Sequence, residues 1–99
     1  MKGYDLTLAA EEDLRNIWDY TFGEWGFDQA DTYLGQIQTC CEAIGDGSAR
    51  EKVNDALPED VRVLRCEHHY LFWIVGNRPI IIAILHERMD LVNRLADRL

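Results

Sequence analysis

The sequence predicts an α+β fold in which two helices pack against a small, mainly antiparallel sheet. Two segments in the first half of the chain have the hydrophobic spacing of amphipathic helices, whereas the second half contains three apolar segments typical of strands. A short strand is predicted before the helices, and a short helix at the end of the chain. Because the helices and most of the strands are separated along the chain, they are expected to form separate layers.

The first half of the chain is predicted to form a strand and a helical hairpin. Residues 4–8 alternate apolar and polar side chains, which suits a strand with one buried face. Gly26 is expected to end the first helix, and Asp28 is a good N-cap for the second, which should stop at Gly45 and Gly47. Because the linker is short, the helices should be antiparallel. The stripes predicted to face the core or the helix–helix seam are Leu14, Ile17, Trp18, Thr21, Phe22 and Trp25, then Ala30, Tyr33, Leu34, Ile37, Cys41 and Ile44.

The second half of the chain is predicted to form a loop, three strands and a short helix. The polar segment 48–59 is interpreted as a loop with room for one helical turn. Gly76 and Asn77 are expected to supply positive φ angles for a tight turn between the last two strands. Leu91, Leu95 and Leu99 recur every fourth residue within 89–99, which favours a final helix. The strands are predicted at 61–66, 69–75 and 80–85.

The length and the charge of the chain limit its functions. Residues 1–99 are expected to form a single domain. The net charge of −8 is uneven, since residues 1–48 carry ten acidic and two basic side chains, whereas residues 49–99 carry eight of each. Such an acidic protein is a poor ligand for DNA or ribosomal RNA, whose phosphates bind Lys and Arg. Without a membrane-length apolar run or a signal-peptide pattern, we expect a cytoplasmic protein.

The cysteines Cys40, Cys41 and Cys66 do not suggest a disulfide framework. Their number is odd, and two of them are adjacent, which on a helix directs their side chains about 100° apart. We therefore expect free, partly buried thiols in a reducing compartment. Cys66 lies near His68 and His69, but the spacing of a zinc site is missing, so no metal is expected.

No pattern in the sequence indicates a catalytic centre. The histidines are not accompanied by a nucleophile motif and there is no glycine-rich phosphate loop, so we expect neither catalytic residues nor a cofactor. His86 is the most suggestive polar residue, because it follows the apolar strand 80–85. Two interpretations of His86 stay open. In the first, His86 bonds to the backbone or to a nearby carboxylate; in the second, it contacts a partner. Arg88 could likewise form an ion pair with Glu87 or Asp90, or contact a partner.

Several motifs occur along the chain in a defined order. They are the segments 6–14, 17–21, 25–26, 29–30 and 33–34 in the first half, and His69-Tyr70-Leu71-Phe72-Trp73, 82–85 and His86-Glu87-Arg88-Met89-Asp90 in the second. Together, these motifs resemble the ParE toxins of the RelE/ParE toxin superfamily. The chain departs from the usual pattern of that family at Glu87, where a glycine is common, and in the loop 48–59, which lacks the usual Gly-Arg-Pro turn.

This resemblance implies a RelE/ParE-like fold and the function of a type II toxin. Such a toxin is neutralised by a cognate antitoxin, forms a hetero-oligomer with it, and reaches DNA only through it. ParE members inhibit DNA gyrase, and so replication, without catalysis. The toxic surface would be the segment 88–99. The candidate antitoxin contacts are Trp18, Phe22, Trp25 and Phe72, and the candidate target contacts are His86, Arg88, Met89, Asp90 and Leu91.

Two other functions are consistent with the same resemblance. RelE members cut mRNA on the ribosome with basic residues and, in many of them, a C-terminal tyrosine or histidine. In this chain Arg65, Arg88 and His86 are the only set suited to RNA cleavage, since there are two lysines and no tyrosine after Tyr70. The sequence therefore favours gyrase inhibition over RNA cleavage. The remaining alternative is a non-toxic binding module of the same fold.

Overall fold

The computed structural model describes residues 3–50 and 55–99, and this part of the chain contains four strands and three helices. The predicted order of strand, helical hairpin, three-stranded antiparallel meander and short C-terminal helix is confirmed. The elements are β1 (Asp5–Leu6), α1 (Leu8–Trp25), α2 (Phe27–Asp46), β2 (Val61–Cys66), β3 (His69–Ile74), β4 (Ile80–His86) and α3 (Leu91–Ala96).

The four strands form one sheet in the order β1-β4-β3-β2. Strands β2, β3 and β4 are antiparallel, whereas β1 runs parallel to β4 and pairs only with Ile80 and Ile81. The pairing of β3 with β4 contains a bulge, because Phe72 lies opposite Ala83 while the next residue, Trp73, lies opposite Ile81. The central place of β4 explains its almost wholly apolar sequence, as expected for a strand covered on both faces.

The sheet is covered by helices on both faces. The hairpin of α1 and α2 covers one face, and its core cluster of buried residues is Tyr4, Ala10, Ile17, Ile37, Cys41, Ile44, Cys66, Leu71, Trp73, Ile81 and Ile84. Helix α3 covers the other face, where the buried cluster is Val61, Phe72, Ile82, Ala83, Leu85 and Leu95. Within the described residues, none of the helices is long and apolar enough to span a membrane.

The start of α1 and the junction of the two helices differ from the sequence prediction. Thr7 caps α1 by accepting a hydrogen bond from the Ala10 N–H (3.1 Å), so β1 is only two residues long and Leu8 is already helical. Gly26 ends α1 as expected, with φ at 88°. Asp28 is not the N-cap of α2, because α2 begins directly after Gly26. The positive φ angle of this glycine lets one residue join the two helices.

The ends of the other elements differ from the prediction by a residue or two. Gly45 remains inside α2, which ends at Gly47 in the left-handed conformation (φ 82°). Strand β3 ends one residue earlier than predicted and β4 one residue later, at His86. Residues 51–54 of the predicted loop lie outside the described residues.

The turn between β3 and β4 does not use positive φ angles at Gly76 and Asn77, so that prediction is wrong. Among the described residues, positive φ angles occur only at Gly26, Gly47 and Glu67. The five residues 75–79 connect the strands instead, and this longer path needs no left-handed residue. The Pro79 carbonyl at its end accepts a hydrogen bond from the Asp5 N–H (2.9 Å), which starts the pairing with β1.

An ion pair between Asp13 and Arg98 covers the edge of β4 that the short β1 leaves open. Two hydrogen bonds of 2.8 Å join the carboxylate to the guanidinium. Asp13 Oδ2 also accepts from the Ile84 N–H (2.9 Å), and Arg98 Nη1 donates to the Ile82 carbonyl (2.9 Å). The two side chains are only 12% and 21% exposed. This ion pair, here called the Asp13–Arg98 bridge, joins α1, the bulge of β4 and the C-terminal end.

Replacing Asp13 with alanine should lower the free energy of unfolding by about 3 kcal/mol, because it leaves a mostly buried guanidinium without its counter-charge and the Ile84 N–H without its acceptor. Urea unfolding of the purified chain measures this loss. Asp19, an exposed carboxylate on the same helix, supplies the control, since Asp19→Ala should change stability by less than about 0.5 kcal/mol. Equal stabilities of the two variants would contradict a structural role for the bridge.

Candidate binding surfaces and the strand-end cluster

Three histidines meet where β2 turns into β3 and where β4 ends. Antiparallel pairing places His69 opposite both Cys66 and His86, so the turn and the strand end are adjacent. The ring centroids of His69 and His86 lie 5.0 Å apart in an edge-to-face arrangement, and those of His68 and His86 lie 6.5 Å apart. We call these three histidines, with Tyr33, Arg65 and Glu87, the strand-end cluster.

Glu87 connects the two sides of the strand-end cluster. Its Oε1 accepts from Arg65 Nη2 (2.6 Å), its Oε2 lies 3.1 Å from His68 Nδ1, and its N–H donates to the His68 carbonyl (2.8 Å). The hydrogen bond with His68 and the charge of Arg65 lower the pKa of the Glu87 carboxyl. The residue that departs from the usual family pattern therefore ties the β2–β3 turn to the segment after β4.

His69 is the buried member of the strand-end cluster. Only 7% of its surface is exposed, and the Tyr33 hydroxyl lies 2.6 Å from its Nδ1. Burial, followed by the neighbouring His86 and His68, lowers the pKa of His69 to about 4. The ring is therefore neutral at pH 7, and with its proton on Nε2 it accepts a hydrogen bond from Tyr33. The same Tyr33 oxygen accepts from the His68 N–H (3.2 Å).

The structure shows which contacts His86 and Arg88 make within the chain. His86 Nδ1 accepts a hydrogen bond from the Arg88 backbone N–H (3.1 Å), so this histidine is bonded to backbone. Within residues 3–50 and 55–99, the Arg88 side chain forms no ion pair with Glu87, which binds Arg65 and His68, or with Asp90. The Arg88 side chain is exposed instead.

The segment after β4 presents apolar and charged side chains to solvent. Asp90 caps α3 by accepting from the Asn93 N–H (3.4 Å). Leu95 is buried against the sheet and Leu91 packs beside it, whereas the predicted third leucine, Leu99, is 60% exposed. Outward-facing apolar residues in this segment are Met89 (44% exposed) and Val92 (79% exposed).

The helical hairpin carries a group of aromatic side chains near its tip, here called the aromatic cap, in which Phe22, Trp25 and Phe27 are exposed and Trp18 is half-buried. The Trp18 ring lies 6.2 Å from that of Phe22 and 5.7 Å from that of Phe27, measured between centroids. Trp25 is 71% exposed, Phe27 58% and Phe22 50%. The sequence had assigned Trp18, Phe22 and Trp25 to a buried stripe, but only Ile17 and Thr21 of that stripe are buried.

Phe72, the fourth candidate antitoxin contact, lies elsewhere in the molecule. It is 4% exposed and belongs to the core between the sheet and α3. In this conformation Phe72 offers no surface to a partner, so the candidate contacts reduce to the three aromatic residues of the hairpin.

The expectation of three free thiols is wrong. Cys40 and Cys66 form a disulfide between α2 and the end of β2, and Cys41 is buried and lies outside this disulfide. The pairing joins residues 26 positions apart, and neither the odd number of cysteines nor their spacing revealed it. In the part of the chain that the structure describes, no group of three His, Cys, Asp or Glu side chains is arranged to hold a metal ion.

Sequence reasoning also missed the polar partners that shape these surfaces. Tyr33 was recognised only as a member of an apolar stripe, and its hydroxyl gave no signal of its contact with His69. Asp13 and Arg98 are 85 positions apart, so no local pattern links them. The one available signal was Glu87, whose departure from the usual glycine marks the residue that binds Arg65 and His68.

Comparison with known proteins decides the family. The family described as "ParE toxin of type II toxin-antitoxin system, parDE" matches residues 4–91. This chain belongs to the ParE toxin family. A protein named Toxin ParE from Escherichia coli is 44% identical to it over 101 residues, which cover 100% of this chain and 98% of the relative. A Toxin ParE1 from Mycobacterium tuberculosis is 36% identical, with 93% and 96% covered.

Solved structures agree with this ParE assignment at the level of the fold. A chain from a structure titled "Chromosomal ParDE TA system from P. aeruginosa" superimposes with a TM-score of 0.72. The match covers 87% of this chain and 96% of the other, at 20% sequence identity. The predicted family and fold are therefore confirmed.

The buried His69 should make the stability of the chain depend on pH. Its pKa is about 4 when folded, below the ordinary 6.5, so the unfolded chain takes up the proton first. The stabilising effect is fully present above pH 6.5 and is lost as the pH falls toward 4. Between pH 7 and pH 5, the titration of His69 alone should lower the free energy of unfolding by about 2 kcal/mol.

Urea unfolding of the parent chain and of His69→Phe at both pH values measures this contribution, because other groups titrate equally in the two proteins. The loss between pH 7 and pH 5 should be smaller in His69→Phe by about 2 kcal/mol. The control His68→Gln, which alters an exposed histidine, should keep most of the parent's pH dependence. An unchanged pH dependence in His69→Phe would show that His69 titrates normally.

Proposed function

We propose that the chain is the toxin of a type II toxin–antitoxin system, that a cognate antitoxin neutralises it, and that it arrests growth by inhibiting DNA gyrase. The full-length match to Toxin ParE at 44% identity is the observation that supports this most strongly. Residues 1–99 then act as one toxin domain in the cytoplasm, where gyrase and its DNA are found. Gyrase is the target that the family resemblance implies.

The aromatic cap is the proposed antitoxin surface. Phe22 and Trp25 form exposed apolar area at one end of the hairpin, beside the half-buried Trp18 and next to the acidic Glu24 and Asp28. Exposed aromatic residues of this kind commonly dominate the energy of protein interfaces. An apolar antitoxin segment with basic flanks would match both the rings and the surrounding charge.

The segment after β4 is the proposed toxic surface. The candidate target residues His86 and 88–91 follow one another with only Glu87 between them, and α3 continues from them along the chain. Arg88 and Met89 are exposed, and Val92 adds apolar area beside them. The Asp13–Arg98 bridge and the buried Leu95 hold this segment on the sheet. A charged and apolar surface on a fixed backbone is suited to binding a protein target.

The strand-end cluster supports a non-catalytic mode of action. RNA cleavage requires a base for the 2′-hydroxyl and cations free to stabilise the phosphate. Arg65, one of the three residues suited to that reaction, is bound by Glu87, and His86 Nδ1 is occupied by the Arg88 N–H. The negatively charged Glu87 would also repel an RNA phosphate at this position.

Arg88→Glu tests the proposed target surface. Purified parent chain should inhibit DNA supercoiling by gyrase, and Arg88→Glu should need about tenfold more protein for the same inhibition, because it reverses an exposed charge at the interface. Arg15→Glu makes the same change on the exposed surface of α1 and should leave the inhibition unchanged. Equal potency of Arg88→Glu and the parent would place the target surface elsewhere.

Induction of the chain in cells without an antitoxin distinguishes the alternative functions. Gyrase inhibition predicts a DNA damage response before translation stops. Arrested translation with mRNA cut at defined positions, and loss of that cleavage in Arg88→Ala, would establish the RelE-like endonuclease instead. Normal growth with abundant folded protein would leave the binding module as the function.

Trp25→Ala tests the proposed antitoxin surface. Removal of this 71% exposed ring should weaken antitoxin binding at least about tenfold, with little change in stability because the ring is not part of the core. Tyr20→Ala removes a 69% exposed ring from the same helix, outside the aromatic cap, and serves as the control. Titration calorimetry with the antitoxin measures both. Equal affinities for the two variants would exclude the aromatic cap.

A further inference from the structure

One side of α2 is joined to the turn between β2 and β3 by three consecutive contacts. The Tyr33 hydroxyl accepts a hydrogen bond from the His68 N–H, and the Gln36 carbonyl oxygen lies 3.5 Å from Cys66 Sγ. Cys40 forms the disulfide with Cys66. These three residues are spaced three and four apart, so they lie on one stripe of the helix. The Cys40–Cys66 disulfide is the covalent member of this seam.

The two residues of the disulfide differ in their exposure to solvent. Cys40 is half-buried on α2, whereas Cys66 is only 5% exposed at the end of β2. Cys41, which is not part of the disulfide, is 2% exposed and belongs to the core beneath the hairpin. A small thiol arriving from solvent therefore reaches Cys40 first and cannot reach Cys41.

We propose that Cys40 is a site of thiol–disulfide exchange with low-molecular-weight thiols, and that Cys66 is its resolving thiol. A thiolate attacks Cys40 Sγ, the Cys40–Cys66 bond breaks, and the electron pair leaves with Cys66 as its thiolate, which then takes a proton. A second small thiol removes the first from Cys40 as a symmetrical disulfide. In the reverse direction, a small-molecule disulfide such as oxidised glutathione accepts the two electrons and the protein disulfide forms.

The surroundings of Cys66 suit both redox forms. When the disulfide opens, the Cys66 thiol can donate a weak hydrogen bond to the Gln36 carbonyl, which is already 3.5 Å away. Tyr33 keeps its bonds to the turn at His68 and His69, since neither involves sulfur. The chain can therefore cycle between dithiol and disulfide without losing the seam, which is the condition for a reversible modification site.

The exchange changes stability, because the disulfide closes a loop between residues 26 positions apart. A cross-link over such a loop restricts the unfolded chain. In a domain of this size the oxidised form should melt roughly 10 °C above the reduced form. Oxidation would thereby prolong the life of the folded chain in a cell that degrades unfolded protein. This inference does not depend on gyrase being the target.

Incubation of the full chain with defined ratios of reduced and oxidised glutathione tests the proposal. Peptide mass spectrometry after rapid alkylation should find the glutathione adduct on Cys40, and Cys66→Ser should accumulate this adduct because no resolving thiol remains. Cys40→Ser should carry little adduct on Cys66. The control Cys41→Ser should form the Cys40–Cys66 disulfide as the parent does.

Thermal melting of the parent chain in its oxidised and reduced forms provides a second readout that needs no variant. A melting temperature higher by roughly 10 °C in the oxidised form is expected. The proposal is overturned if the adduct forms mainly on Cys66 or Cys41, if no disulfide forms under oxidising conditions, or if the two forms melt at the same temperature.

Discussion

The Asp13–Arg98 bridge is the interaction on which the arrangement of the two proposed interaction surfaces depends. Strand β1 pairs with only two residues of β4, so the rest of that strand edge needs other hydrogen-bond partners. The carboxylate of Asp13 accepts a hydrogen bond from the Ile84 N–H, and the guanidinium of Arg98 donates one to the Ile82 carbonyl at the bulge. One ion pair thereby completes the sheet and holds the C-terminal end in place.

This arrangement places the two proposed interaction surfaces on connected elements. Helix α1 contributes Asp13 to the bridge and Trp18, Phe22 and Trp25 to the aromatic cap. The segment after β4 is fixed at one end by Glu87, which binds Arg65 and His68, and at the other by Arg98. Binding of an antitoxin to the hairpin and binding of a target to the C-terminal segment would therefore act on a shared framework.

The sequence predicted the features that depend on neighbouring residues and missed the contacts between residues that are far apart in the chain. Hydrophobic spacing gave the β2 limits and the buried stripe of α2, because both depend on neighbouring residues. It misplaced Trp25, whose position fits the stripe although its side chain is 71% exposed. The Cys40–Cys66 disulfide and the Asp13–Arg98 bridge join residues far apart in the chain, and the bulge at Ile82 arises from pairing between strands.

Amide hydrogen exchange in Arg98→Met tests most directly whether the bridge holds the C-terminal segment on the sheet. This variant keeps an apolar side chain of similar length but removes the charge. We predict that the amides of α3 exchange at least about tenfold faster than in the parent chain, relative to the amides of α2, because α3 detaches locally. Equal acceleration in both helices, or no change in either, would contradict the role assigned to the bridge.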